Sequence, residues 1–130
     1  MTILTVDDDI EDQELFAEAV RLIDPATVCL VANDGIEGYE LLLDGKTNLS
    51  LDFIFLDMNM PKMTGIELLV LIKKDERLKD IPVYILSTSC SPNELAKINL
   101  LGGTLLQKQS QFALTVQMLR SVINPSVEVR

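Results

Sequence analysis

Three aspartates, Asp7, Asp8 and Asp57, have the chemistry and spacing of a cation site, and a fourth, Asp9, is predicted to cap the first helix. Asp7, Asp8 and Asp9 are consecutive near the start of the chain, and Asp57 follows a short apolar segment. Carboxylates that lie close together repel one another, which raises the pKa of at least one of them or recruits a cation. Oxygen ligands suit Mg²⁺, which takes one or two carboxylates, keeps several waters and accepts phosphate oxygens. These residues predict a divalent-cation site if the fold brings them together.

A hydroxyl and an ammonium complete a set of groups suited to phosphoryl transfer. Ser87, followed by Thr88, and Lys108 each come after an apolar run. A carboxylate such as Asp57 needs no general base as a nucleophile, because it already carries its negative charge. A lysine, a metal ion and a hydroxyl can stabilise the charge on the phosphoryl oxygens. We therefore expect Asp57 to accept a phosphoryl group that Lys108 and Ser87 stabilise.

Short apolar runs alternate with segments of helical periodicity along the whole chain. The runs are residues 3–6, 28–31, 53–56, 83–86 and 104–106, which are too short for helices and are predicted to be buried strands. Such alternation indicates an α/β fold in which right-handed crossovers connect parallel strands. We expect a flavodoxin-like, doubly wound (βα)5 sandwich with a parallel five-stranded sheet in the order 2-1-3-4-5.

This topology predicts that the polar residues meet at one edge of the sheet. Ligand sites in such sheets lie beyond the carboxyl ends of the strands, at the point where the winding reverses. Neighbouring strands are about 4.8 Å apart, so Asp57 is expected beside Asp7 and Asp8, with Lys108 about 10 Å away and within reach. A flavin or nucleotide site is disfavoured, because the first turn reads Asp-Asp-Asp rather than a glycine-rich sequence with free amides.

The composition excludes several other functions. The net charge of −9 disfavours nucleic acid and anionic membranes as partners, because both need an excess of Lys and Arg. The chain has no His and two Cys, Cys29 and Cys90, without a CxxC pair. Zinc sites and Cys/His or Ser/His catalysis are therefore disfavoured.

Length and hydropathy indicate the organisation of the chain. With 130 residues we expect a single domain, residues 1–124, followed by a short C-terminal tail, residues 125–130. The first residues lack a secretion signal, and no apolar stretch approaches membrane-spanning length. We expect a cytoplasmic protein.

Four motifs together resemble the receiver domain of two-component response regulators, in particular its single-domain chemotaxis and phytochrome-linked types. They are Val-Asp-Asp at 6–8, Leu-Asp-Met-Asn-Met-Pro at 56–61 with Gly65, Ile-Pro-Val-Tyr-Ile-Leu-Ser at 81–87, and Lys108. Each motif alone is weak evidence, whereas four in the family's order and spacing are strong evidence. The resemblance covers residues 3–123, nearly the whole chain.

The resemblance implies that Asp57 receives a phosphoryl group from a histidine kinase or phosphotransfer protein in a Mg²⁺- or Mn²⁺-dependent reaction. It implies that Asp8, Asp57 and the backbone carbonyl of Asn59 hold the ion, while Asp7 contributes through water. It further implies a signalling domain rather than an enzyme, limited to self-phosphorylation and self-dephosphorylation. The protein is expected to be a monomer or weak dimer that signals by phosphorylation-dependent binding to a downstream protein, which the sequence does not name.

The resemblance also assigns residues to switching and to the lifetime of the phosphorylated state. Ser87 matches the hydroxyl switch residue, and Leu105 occupies the position of the aromatic switch residue on the fifth strand. Asn59 and Ser89 match the two variable positions that set the dephosphorylation rate. The face formed by the fourth helix, the fifth strand and the fifth helix is expected to report phosphorylation to a partner.

Two departures from the family pattern leave an alternative open. Gln109 stands where the family has Pro after its lysine, and Leu105 replaces an aromatic residue. They motivate the hypothesis of a receiver-like protein-interaction module that acts independently of phosphorylation. A third hypothesis, a phosphoester hydrolase of the haloacid-dehalogenase type, is disfavoured because it needs a second Asp at the position of Asn59.

Overall fold

A computed structural model of the protein describes residues 1–45 and 50–124. Within those residues, five parallel strands form one sheet in the order β2-β1-β3-β4-β5. In this register Leu4 lies opposite Leu30 on one side and Ile54 on the other. The predicted flavodoxin-like strand order is confirmed. The strands are β1 (Thr2–Val6), β2 (Val28–Ala32), β3 (Phe53–Asp57), β4 (Val83–Ser87) and β5 (Thr104–Gln107).

Helices follow the strands, and most begin at a side chain that caps their free amides. Asp9 accepts a hydrogen bond from the backbone N–H of Asp12, as predicted for a cap of the first helix. Thr64 and Ser91 each form a reciprocal capping box with a glutamate three residues later. The helices whose bounds fall within the described residues are α1 (Ile10–Ile23), α2 (Gly35–Leu43), α3 (Gly65–Lys74), α4 (Pro92–Leu100) and α5 (Phe112–Ile123).

Alternating strand residues supply a core on each face of the sheet, because successive side chains of a strand point to opposite faces. The larger core packs α2, α3 and α4 against one face, and the smaller packs α1 and α5 against the other. Both faces are covered, so the carboxyl edge of the sheet is left for polar residues. The larger core includes Leu4, Leu42, Ile54, Leu56, Leu68, Ile72, Ile85 and Ile98, and the smaller includes Ile3, Phe16, Ala19, Val20, Phe55, Leu119 and Ile123.

The membrane and tail predictions have different outcomes. None of the helices in the described ranges is long and apolar enough to cross a membrane. The predicted tail, residues 125–130, lies outside the described residues. The domain boundary at residue 124 therefore stays a prediction.

Helix α3 begins in direct backbone contact with the end of β3. The N–H of Gly65 donates to the carbonyl of Met58 at 3.0 Å. A Cβ at residue 65 would lie 2.6 Å from the carbonyl oxygen of Asp57 and 3.0 Å from the Cα of Met58. Glycine is required here because the helix approaches the strand backbone more closely than a side chain permits.

We predict that Gly65→Ala lowers the free energy of unfolding by about 1–3 kcal/mol, since the added methyl group forces helix and strand apart. Urea unfolding followed by circular dichroism measures this change. Gly45→Ala is the matched control, because a Cβ at residue 45 meets no heavy atom within 4 Å. Equal stability of the two variants would contradict the close-contact explanation.

Candidate functional site

Three carboxylates meet at the carboxyl edge of the sheet. Asp7 directly follows β1, and Asp57 is the last residue of β3. The carboxylate oxygens of Asp7, Asp8 and Asp57 lie within 4.8 Å of one another, and we call these residues the acidic cluster. Asp7 and Asp57 are buried, whereas Asp8 is exposed. The predicted proximity of the three aspartates is present in the structure.

Hydrogen bonds from three segments fix the turn that contains Asp7. Its backbone N–H donates to the carbonyl of Ala32 at 3.1 Å, and its carboxylate accepts from the N–H of Asp9 at 2.9 Å. The side-chain amide of Gln13 donates to the Asp7 carbonyl at 2.6 Å and to Asn33 at 2.9 Å. The position of Asp7 is therefore set by β2 and α1 as well as by its own strand.

Lys108 inserts its ammonium group among the carboxylates. Its Nζ lies 2.8 Å from Asp57, 3.1 Å from Asp12 and 3.8 Å from Asp7. The backbone N–H of Lys108 donates to the carbonyl of Ser87 at 2.9 Å, which fixes the end of β5 against the end of β4. The predicted pairing of Lys108 with Asp57 is present, and a third carboxylate, Asp12, shares the ammonium.

Burial and charge shift the protonation equilibria of this site. Burial raises the pKa of Asp7 to about 6, against the lowering effects of the Asp9 N–H and Lys108. Burial also raises the pKa of Asp57. Burial alone would lower the pKa of Lys108, but its contacts with Asp57, Asp12 and Asp7 raise it above its usual range. The site holds more negative charge than Lys108 neutralises.

The donor set fits a hard divalent cation. The acidic cluster offers three carboxylates, and Asn59 and Thr88 border the same open pocket. Oxygen ligands of this kind suit Mg²⁺ and Mn²⁺, and burial, which raises the pKa of Asp7 and Asp57, disfavours their ionised forms unless a positive charge lies beside them. Asp7, Asp8 and Asp57 could hold the ion, with Asn59 beside them.

The hydroxyl of Ser87 is buried and engaged with the following loop. It donates to the carbonyl of Ser89 and accepts from the N–H of the same residue at 3.3 Å. It is thus at the strand end where a switch hydroxyl was expected, but its hydrogen bonds are to the loop. Thr88, the next residue, borders the acidic pocket.

The two departures from the family pattern leave the lysine in place. All peptide bonds among the described residues are trans, and the Gln109 side chain donates to the carbonyl of Gln107 at 2.9 Å. Lys108 nevertheless reaches Asp57. Leu105 lies opposite Ile85 and packs, partly buried, against the larger core.

Asp12 is the site residue that the sequence reasoning missed. It lies in the first turn of α1, and its carboxylate contacts Lys108. A signal was present, because Asp12 lies in the first turn of the helix that directly follows the acidic loop and so stays near the carboxyl edge of the sheet. The spacing alone did not show that a lysine 96 residues away would meet it.

Comparison with known proteins gives a consistent result. The sequence matches the model of the response regulator receiver domain over residues 3–120. It is 33% identical over 105 residues to the two-component response regulator ARR17 of Arabidopsis thaliana, covering 73% of this chain and 66% of that protein, just under two thirds. It is 34% identical over 95 residues to the chemotaxis protein CheY of Pseudomonas aeruginosa, covering 73% of each. The chain belongs to the response regulator receiver domain family.

Solved structures agree with this assignment. The phosphorylated cyanobacterial phytochrome response regulator RcpA superposes with a TM-score of 0.84 at 28% identity, covering 99% of this chain and 95% of that one. The Mn²⁺-bound form of the response regulator Rcp1 gives a TM-score of 0.80 at 28% identity, covering 93% and 90%. Proteins similar to this one have thus been observed phosphorylated and with a divalent ion.

We predict that Asp7→Asn stabilises the protein when divalent ions are removed. The folded state raises the pKa of Asp7 from an ordinary value of 3.8 to about 6, so ionisation of this acid reduces stability as the pH rises through that range. Thermal unfolding in EDTA at about pH 7.5 should show a melting temperature about 3–6 °C above wild type. The gain should disappear at about pH 4, where Asp7 is largely protonated. A lower melting temperature for the variant at neutral pH would contradict the prediction.

Proposed function

We propose that this protein is a cytoplasmic response regulator whose receiver domain accepts a phosphoryl group on Asp57 from a histidine kinase or phosphotransfer protein. The observation that carries the proposal is the environment of the Asp57 carboxylate. It is buried at the end of β3, with the Lys108 ammonium 2.8 Å away and the oxygens of Asp7 and Asp8 beside it. A nucleophile, a cationic stabiliser and a set of cation ligands thus meet at one point.

The transfer follows from these contacts. An oxygen of the Asp57 carboxylate forms a bond to phosphorus, and the bond from phosphorus to the donor breaks with its electron pair going to the leaving group. Lys108 stabilises the negative charge on the phosphoryl oxygens. A bound Mg²⁺ or Mn²⁺ supplies further charge neutralisation, and we propose that Asp8, Asp57 and the carbonyl of Asn59 hold it with help from Asp7.

Ser87 connects this chemistry to the surface in our proposal. Its hydroxyl now bonds to the backbone of Ser89, so binding a phosphoryl oxygen would require it to release that loop. The loop leads into α4. Asn59 borders the acidic pocket and Ser89 lies in the loop after β4, and we propose that both set the lifetime of the acyl phosphate.

The proposed output surface is formed by α4, β5 and α5. It carries exposed apolar side chains, among them Leu100 with 87% exposure, Leu95 and Phe112. Leu105 replaces an aromatic reporter, so we propose that movement of the loop after β4, rather than rotation of a ring, changes this surface. A downstream protein would then bind the phosphorylated form more tightly.

We predict that incubation with acetyl phosphate and Mg²⁺ adds one phosphoryl group to the wild type and none to Asp57→Asn. The reason is that the amide of Asn cannot act as the nucleophile that the carboxylate provides. Intact-mass spectrometry measures the addition, and EDTA should abolish it.

Asp52→Asn is the matched control for this experiment. Asp52 lies just before β3, at the opposite end of the strand from Asp57, where its carboxylate accepts from the N–H of Thr2 at 2.8 Å. This variant should be phosphorylated like the wild type. Phosphoryl addition to Asp57→Asn would refute Asp57 as the acceptor. No addition to the wild type would refute the proposal and favour a module that works without phosphorylation.

We predict that Mn²⁺ broadens the backbone amide signals of Asp8, Asp57 and Asn59 first in ¹H–¹⁵N spectra, because relaxation by a paramagnetic ion falls steeply with distance. Asp8→Asn should weaken this binding about tenfold or more, since a charged ligand is lost. Broadening that starts at the exposed acids of α1, or that is unchanged in Asp8→Asn, would place the ion elsewhere.

A further inference from the structure

Asp12 makes a contact that the proposed chemistry does not require. Its Oδ2 lies 3.1 Å from Nζ of Lys108, nearly as close as the 2.8 Å between that nitrogen and Asp57. The two residues are 96 positions apart, so the contact joins the first turn of α1 to the end of β5. It brings an additional negative charge to a site that already has an excess of them.

The local structure of α1 does not account for this orientation. Asp9 caps the helix through the backbone N–H of Asp12 and leaves the Asp12 carboxylate free of a capping role. That carboxylate is 43% exposed and could be solvated, yet it pairs with an ammonium that is 24% exposed. The ion pair is therefore a contact within the site rather than a part of the helix cap.

An open cavity adjoins the lysine head group. Lys108 and Asp12 border a cavity of about 90 Å³ between α1 and α5, which Leu15, Thr115 and Met118 also line. Because the cavity leaves space beside the ammonium, the three carboxylates rather than close packing determine its position. A change in any one of them should move the ammonium or alter the strength of its other contacts.

We propose that Asp12 restrains phosphoryl uptake by Asp57 because it competes for Lys108. This inference rests on the proposed function. During transfer Lys108 must donate to the phosphoryl oxygens, and the carboxylate of Asp12 draws the same ammonium toward α1. Asp12 is thus a positioning residue that acts through Lys108, and it keeps the site less reactive than Asp57, Lys108 and the cation alone would make it.

The test compares initial rates of phosphorylation by acetyl phosphate in Mg²⁺, measured by intact mass. Asp12→Asn keeps the size of the side chain and removes its charge. A unit charge about 4 Å away in a water-like environment changes a rate about fivefold, so we expect the variant to be faster by about that factor. Glu11→Gln is the matched control, because it removes one negative charge from the same exposed turn and should keep the wild-type rate.

A double variant identifies the route of the effect. In a Lys108→Met background, Asp12→Asn should give no acceleration, because the shared ammonium is absent. A gain that persists there would overturn the competition for Lys108 and indicate direct repulsion of the phosphate. A rate for Asp12→Asn equal to or below the wild-type rate would overturn the restraint itself.

Direct observation of the lysine distinguishes this role from a structural one. The side-chain ammonium resonance of Lys108, followed by NMR at neutral pH, should change its chemical shift in Asp12→Asn and keep it in Glu11→Gln. An unchanged resonance in Asp12→Asn would overturn the pairing. Absence of phosphorylation in the wild type would instead refute the proposed function, and this result is distinct from wild-type uptake that Asp12→Asn does not accelerate.

Discussion

An imbalance of charge at the carboxyl edge of the sheet underlies the rest of this structure. The ammonium of Lys108 contacts the carboxylates of Asp7, Asp12 and Asp57, while Asp8 adds a fourth negative charge nearby. Burial removes water from the ionised carboxylates, which is the main reason why the pKa values of Asp7 and Asp57 are raised, and the neighbouring negative charges add to the effect. A bound cation would therefore stabilise the carboxyl edge of the sheet, where the pocket beside the acidic cluster is open to solvent.

Much of this arrangement could be predicted from the sequence, because it depends on strand order. The apolar runs are too short for helices, which identifies them as buried strands. Their alternation with helical segments restricts the topology to a few choices. Once β1 and β3 are neighbours, Asp7, Asp8 and Asp57 have to converge, since all lie at carboxyl ends of adjacent parallel strands. Lys108 lies at the same edge because it comes at the carboxyl end of β5, two strands from β3.

The contacts between side chains could not be predicted in the same way. The pairing of Asp12 with Lys108 depends on how α1 packs over the sheet, which no local pattern specifies. The hydrogen bond from Ser87 to the carbonyl of Ser89 depends on a rotamer and on the course of a loop. Gln109 is the opposite case. It departs from the family pattern at the residue after the lysine, yet Lys108 keeps its position because its backbone N–H donates to the carbonyl of Ser87.

The contact at Gly65 has a consequence for the evolution of this fold. A Cβ there would overlap backbone atoms of Asp57 and Met58 rather than a side chain, so exchange of neighbouring residues cannot make room for it. Apolar residues in the cores can replace one another when their combined volume is kept. Descendants of this sequence should therefore vary in the residues that fill the interior and retain glycine at the point where α3 meets β3.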